Sequence, residues 1–441
     1  MATVYLASCE TYDPDVIAQH VRVGASALGV ALPSSGSAVL HPAIPLSHAR
    51  FAPDARTNPG VIEGVARSLA GASLTVGGQS LPGFPTRYSL GHAGFGPVAH
   101  RVKAKLVPFD ERPFKDSPGA PFGPDGTNLQ LSSVWQSASF RVSLPRLMGS
   151  TFLPFSGALL QALSLLPQHT QQAVHHHLPE LLLPLSAAVA PDLIVVDAIQ
   201  ATHQGGEISG QPVELGLLII GIDPIAVDLV CAAAYGVPEE EMAFVHPSGA
   251  PAGTPKSVAD VKLLGTVSLG ELRKRGGRVQ RLDPNPEKYS LPKKISVVRS
   301  EKSRLASSAG SLTEALSVIE RAGFDLSKSR QVALVLGAVD DIPPGTTDKS
   351  TVLYVGDTAR GETTGYGRVV RLTGRNVAVS QILMDLPFLL DIGNFRTDLG
   401  LKFQLARAGA RLARLIGRSG GGREAAAGPP RREGGGGTAA Q

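Results

Sequence analysis

Six short apolar runs constrain this chain more than any other feature: Thr3–Ala7, Ser73–Val76, Leu193–Val196, Leu217–Ile220, Val332–Leu336 and Thr351–Val355. Their dense Val, Ile and Leu content is that of strands covered on both faces. Helical patterns lie between many of them. This rhythm predicts an α/β fold, a largely parallel sheet with helices on both faces. Residues 1–272 would form the core domain, the basic, proline-containing stretch 273–294 a linker, and 295–400 a second, smaller α/β unit. A terminal helix is expected over 401–418, and a disordered tail over the glycine-rich 419–441.

Charge and cysteine content narrow the function classes. The net charge is +5, but residues 401–441 carry eight Lys/Arg against two Asp/Glu, so the body is close to neutral. That distribution speaks against nucleic acid as a partner. Only Cys9 and Cys231 are present, too few for a disulfide framework or for an intrinsic four-cysteine iron–sulfur cluster. The first residues lack a basic segment followed by a long apolar run, so no signal peptide is expected. The most apolar stretch, Leu215–Val237, contains Asp223 and Asp228, too costly at a bilayer centre. The sequence therefore reads as soluble and cytoplasmic. With 50 glycines and 34 prolines, it is loop-rich without being a disordered chain.

Two helix starts are well marked. In Asn58-Pro59 and Asp223-Pro224, a capping side chain precedes a proline suited to the first helical position. The phosphate-loop, zinc-protease and nucleophile-elbow signatures are absent. Gly91–Gly96 lacks dinucleotide-loop spacing and reads as a surface loop. Gly77-Gly78-Gln79-Ser80 follows an apolar strand, where parallel sheets hold ligands, so a ligand loop or a plain turn is open there. Gly356–Gly361, after Thr351–Val355, carries the same choice.

The richest segment is Pro191–Tyr235. Its first strand is expected to end at Asp197, followed by a polar loop with His203, Gly205, Gly206, Glu207 and Gly210. A second strand ends at Gly221, and a helix starts at Asp223. An acidic strand end beside a glycine loop with His and Glu suits acid–base work or metal binding. The structural alternative is that Asp197 caps a turn, Asp223 caps the helix and Asp228 is held by nearby backbone. An unpaired carboxylate on an apolar helix is expensive, which makes Asp228 a functional candidate. In His175-His176-His177, adjacent residues on a helix point apart, so only His176 with Glu180 could share an ion. A solvated helix end is the commoner outcome. Residues 401–418 combine Leu401, Leu405, Leu412 and Ile416 with Arg407, Arg411, Arg414 and Arg418. Such helices more often pack the stripe on their own domain, and sometimes lie on an anionic membrane or an acidic partner.

Asp192–Ala198, then Gly205-Gly206 and Gly210, then Gly221-Ile222-Asp223-Pro224-Ile225-Ala226-Val227-Asp228, resemble the hallmark block of the domain of unknown function 362 family. Upstream, Thr57-Asn58-Pro59 resembles its T-x-P helix start, and Gly77-Gly78-Gln79-Ser80 its glycine–acid–serine strand end. The resemblance spans residues 1–250. Two motifs differ: His41-Pro42-Ala43 stands in place of Lys-Pro-Asn, and Gly157–Gln161 in place of Gly-x-x-Lys-Asn. Many relatives carry a ferredoxin-like iron–sulfur module, for which this chain lacks cysteines. The resemblance implies redox chemistry with an external electron donor or pathway partner protein, leaving lyase, isomerase and transferase chemistry open.

These readings define an expected enzyme acting on a small anionic molecule. Asp197 or Glu207 would be the acid–base group, with His203 and Asp228 beside it. Asn58, Gly77, Gly78, Ser80, Gly205, Gly206 and Asp223 would bind the ligand. No cofactor or metal is named by the sequence. The rival expectation is a non-catalytic ligand-binding or accessory protein that docks through residues 401–418.

Overall fold

The computed structural model describes residues 1–121, 128–174, 178–245, 253–286, 289–299, 308–374 and 377–418. The strands are β1 Thr3–Ser8, β2 Ser37–Pro42, β3 Ser73–Gly78, β4 Lys105–Pro108, β5 Phe114–Pro121, β6 Asn128–Ser132, β7 Phe140–Leu144, β8 Leu193–His203, β9 Gln211–Gly221, β10 Lys262–Gly265, β11 Ile295–Arg299, β12 Val332–Ala338, β13 Thr351–Arg360 and β14 Arg368–Leu372. The helices are α1 Pro14–Ala27, α2 Pro59–Ser68, α3 Thr86–His92, α4 Phe95–Arg101, α5 Ser133–Gln136, α6 Ala158–Gln161, α7 Gln168–Val174, α8 Leu178–Val189, α9 Pro224–Ala234, α10 Leu269–Gly276, α11 Ala309–Arg321, α12 Val379–Leu389, α13 Phe395–Asp398 and α14 Gly400–Arg418.

The fold is α/β. One sheet has the order β10-β1-β9-β8-β7-β2-β3-β4, and every pair in it is parallel except those made by β9. A second, wholly parallel sheet has the order β11-β12-β13-β14. Strand alternation sends Tyr5 and Ala7 into a core shared with Ile17 of α1 and Val61 of α2, while Val4 and Leu6 enter a core shared with Val227 and Val230 of α9. The large sheet is therefore covered on both faces. Both expected caps form: the Asn58 side chain accepts from the Gly60 amide at 2.8 Å, and Asp223 from the Ile225 amide at 2.9 Å.

Local corrections matter for the site. β8 does not stop at Asp197 but continues to His203: burial runs on through Ala198 and Ile199, and pairing with β9 resumes at Gln200 after a bulge at Ile199. β9 then returns antiparallel as the second arm of a hairpin. Likewise, Gly356–Arg360 belong to β13 rather than to a loop. Residues 273–276 of the expected linker complete α10, whose Arg275 donates to the carbonyls of Leu215 and Gly216 at 2.9 and 2.8 Å.

The parts around the two sheets share one apolar cluster. Leu46, Phe51, Phe84, Tyr88 and Ile208 pack into the core that holds Leu312, Leu316, Ile382, Phe395 and Phe403. α14 turns its expected orientation around. Phe403 and Ala410 face inward, and the Arg414 guanidinium meets the buried Asp110 carboxylate at 2.6 Å, leaving the leucines outside. Phe403 is the bulkiest apolar group on the helix and takes the core position, while Asp110 supplies a charge for Arg414.

Candidate functional site

The three carboxylates expected to converge lie in separate, filled environments. Asp197 is buried in mid-strand, accepting from the Tyr12 hydroxyl at 3.0 Å and the Asn58 amide at 2.9 Å. Tyr12 in turn accepts from the Gln200 amide, 3.0 Å away across the bulge. Burial pushes the Asp197 carboxyl up, while Arg146 opposes that rise. Asp228 accepts from the Ala158 and Leu159 amides at 2.6 and 3.0 Å, closing the start of α6. Burial pushes its carboxyl up to about 7 against those two amides. Gly157 is required beside it, because a Cβ there would sit 2.3 Å from Asp228 Oδ1. Asp223 serves as the α9 cap.

Glu207 accepts from the Ser150 hydroxyl at 2.8 Å. Burial, then the neighbouring Glu314 carboxylate, push it up to about 7. Glu314 comes from α11 and fills the glycine loop from the side of the second sheet. It accepts from the amides of Gly206, Ile208 and Ser209 at 2.7, 2.8 and 2.7 Å, and from the Ser209 hydroxyl. The loop thus holds an anion through backbone donors, as its glycines suggest, but the anion is the chain's own. Gly205 packs tightly too: a Cβ would lie 2.5 Å from Ser209 Oγ. His203 is half-buried and accepts from the Gln280 amide at 3.3 Å, and desolvation lowers its pKa.

Gly77 and Gly78 end β3, and Ser80 follows it, without an open face. A Cβ on Gly77 would lie 2.2 Å from the Val107 carbonyl, and Gly78 packs on His41. The Ser80 hydroxyl donates to Ser89 at 2.8 Å. His176 of the histidine run lies outside the described residues, as does the Glu180 side chain. Among the described residues, no group of three or more His, Cys, Asp or Glu could hold a metal ion.

A second polar cluster joins residues that the sequence reading left apart. His41 ends β2, Gln79 follows β3, Gln161 lies on α6, and Ser164 follows it. The Gln161 carboxamide lies 3.4 Å from His41 Nε2. The Ser164 hydroxyl donates to the Gln161 carbonyl at 2.9 Å and lies 2.7 Å from His41 Nε2. Nε2 is thus the His41 ring nitrogen engaged by Ser164 and Gln161. Nδ1 and Gln79 Oε1 are both buried and unpartnered. Burial lowers the His41 pKa to about 3, so the ring is neutral. The signal available in sequence was the pair of departures at His41 and Gln161, which the fold brings into contact.

An open cleft of about 470 Å³ lies between the two parts of the chain. Gln172 and Ala173 of α7 form one side. Asp357, Thr373, Gly374, Ala378 and Gln381 form the other, at the carboxyl ends of β13 and β14 and the start of α12. Asp357 Oδ1 accepts from the Gly374 amide at 2.7 Å.

Fold and site together define an α/β protein with a largely parallel sheet, a second, wholly parallel one, and a polar cleft between its parts. Residues 41–233 match the family described as domain of unknown function (DUF362). No curated protein matches the chain. Among solved structures, the chain is similar to the lactate racemase apoprotein from Thermoanaerobacterium thermosaccharolyticum, with 13% identity, a TM-score of 0.34, and coverage of 52% of this chain and 57% of the racemase. A protein from Thermotoga maritima gives 7% identity and a TM-score of 0.31, over 74% of this chain and 72% of that one. The racemase match thus leaves more than two fifths of that protein unmatched.

Proposed function

We propose that the protein binds a small polar molecule in the cleft between its two parts. The observation that carries this reading is the cleft's position at the carboxyl ends of β13 and β14, where open parallel sheets take ligands. Its volume of about 470 Å³ suits a small molecule. The described lining offers two carboxamides, a threonine hydroxyl and the Asp357 carboxylate, without a cation. That set favours a ligand rich in hydroxyl or amine donors over the anion expected from the sequence. The carboxylates once expected to do acid–base work are engaged elsewhere, which favours binding over catalysis at the Asp197–Asp228 block.

A second reading, an enzyme acting on a small anionic molecule, with oxidoreductase chemistry as the family resemblance implies, has one observation in its favour. At the carboxyl ends of β2 and β3, His41 Nδ1 and Gln79 Oε1 are both buried without a partner, two polar atoms free to meet a ligand. Native mass spectrometry of untagged protein, screened with polyols, nucleosides and amines, separates the two. The cleft reading expects a ligand lost in Asp357→Ala and retained in His41→Gln. Loss in His41→Gln alone moves the site to the large sheet and supports the second reading. A parent protein that carries and takes up no small molecule sinks both.

A further inference from the structure

The exposed face of α14 carries chemistry that the cleft does not use. At 100° per residue, Leu401, Leu405, Leu412 and Leu415 fall within an arc of about 80°. All four point into solvent, with exposures of 73, 62, 59 and 64%. The opposite side packs inward through Phe403 and Ala410, and is pinned by Arg414 on Asp110. Exposed Lys402 and Arg411 stand on the two flanks of the leucine arc. The helix contains no Asp or Glu, and the sequence after it adds Arg423, Arg431 and Arg432 against Glu424 and Glu433. A contiguous leucine face is costly to leave in water and marks a contact surface.

We propose that α14 docks the protein on an anionic lipid surface. The leucines enter the boundary between headgroups and acyl chains, and Lys402 and Arg411 meet lipid phosphates and carboxylates. The charge pattern decides the occupant. A second copy of the helix would bring its own cationic flanks against these, with no acid on either helix to pair them. An anionic membrane supplies both the apolar layer and the opposite charge. The helix lies in the interface rather than across it, since no helix among the described residues is long and apolar enough to span a bilayer.

The test is co-sedimentation of the full chain with phosphatidylcholine vesicles, with and without phosphatidylserine. Binding is expected only to the anionic vesicles. It should fall about fivefold for each of Lys402→Gln and Arg411→Gln. It should fall about tenfold or more in Leu405→Ser/Leu412→Ser, whose outward positions leave the melting temperature unchanged. Equal binding to neutral vesicles, or no binding to anionic ones, overturns the proposal. So does a dimer in analytical ultracentrifugation that the leucine variants dissociate, which would make a second copy the occupant.

Discussion

The Glu207–Glu314 pair places two carboxyl groups in one buried polar pocket, and only one of them has a full set of donors. Glu314 has three amides and a hydroxyl, whereas Glu207 has the Ser150 hydroxyl at 2.8 Å and longer contacts to Thr151. Burial first, and the Glu314 charge second, raise Glu207 from an ordinary 4.5 to about 7. The folded protein therefore binds this proton more tightly than the unfolded chain does. Its contribution to stability is fully present below pH 4.5 and is lost as pH rises through about 7, amounting to at most ~3 kcal/mol. Asp228 titrates in the same window, so the diagnostic is a difference between proteins. Glu314→Gln should flatten the fall in stability on going from acid to neutral pH. It should also cost ~1–3 kcal/mol, because a carboxamide cannot accept from all four donors. Urea unfolding on both sides of pH 7 checks both expectations. An unchanged pH slope would remove Glu314 as a cause of the Glu207 shift.

Among the elements, α6 is the least self-sufficient and the most consequential. It is a four-residue helix, too short to persist alone, and its first two amides end on the Asp228 carboxylate. Its last residue, Gln161, touches His41. Asp228→Asn keeps the size but can accept only one of those amides well, and should destabilise by ~1–3 kcal/mol with an unchanged urea m-value. A neutral effect would mean that α6 is held by packing alone. The sequence made some of this legible. Asn58-Pro59 and Asp223-Pro224 announced their helices because a cap is a local interaction. The reach of β8 was hidden because Asp197, paired with Tyr12 from far upstream, interrupts an otherwise apolar run. Asp357 was legible as a strand-end residue and does line the cleft. The His41–Gln79–Gln161–Ser164 cluster was not, since its members come from separated segments that only the sheet order aligns.

At the scale of the whole molecule, the two sheets are not beads on a string. The apolar cluster holding Phe51, Phe84 and Ile208 also holds Leu312, Leu316, Ile382 and Phe395. Separating the parts would uncover these side chains together and empty the amide cradle around Glu314. The chain should therefore unfold in one calorimetric transition, with van't Hoff and calorimetric enthalpies in agreement. Two resolved transitions would contradict that coupling. The cradle has one more consequence. Three of its four donors are main-chain amides, and Gly206 leaves no room for a Cβ, which would lie 3.0 Å from the Glu314 carboxyl carbon. Keeping the seam in register therefore takes glycine at 205 and 206 on one side and an acid at 314 on the other. Recombining this core region with the second unit of a distant relative should therefore require an acid where Glu314 stands, together with an apolar face that completes the shared cluster.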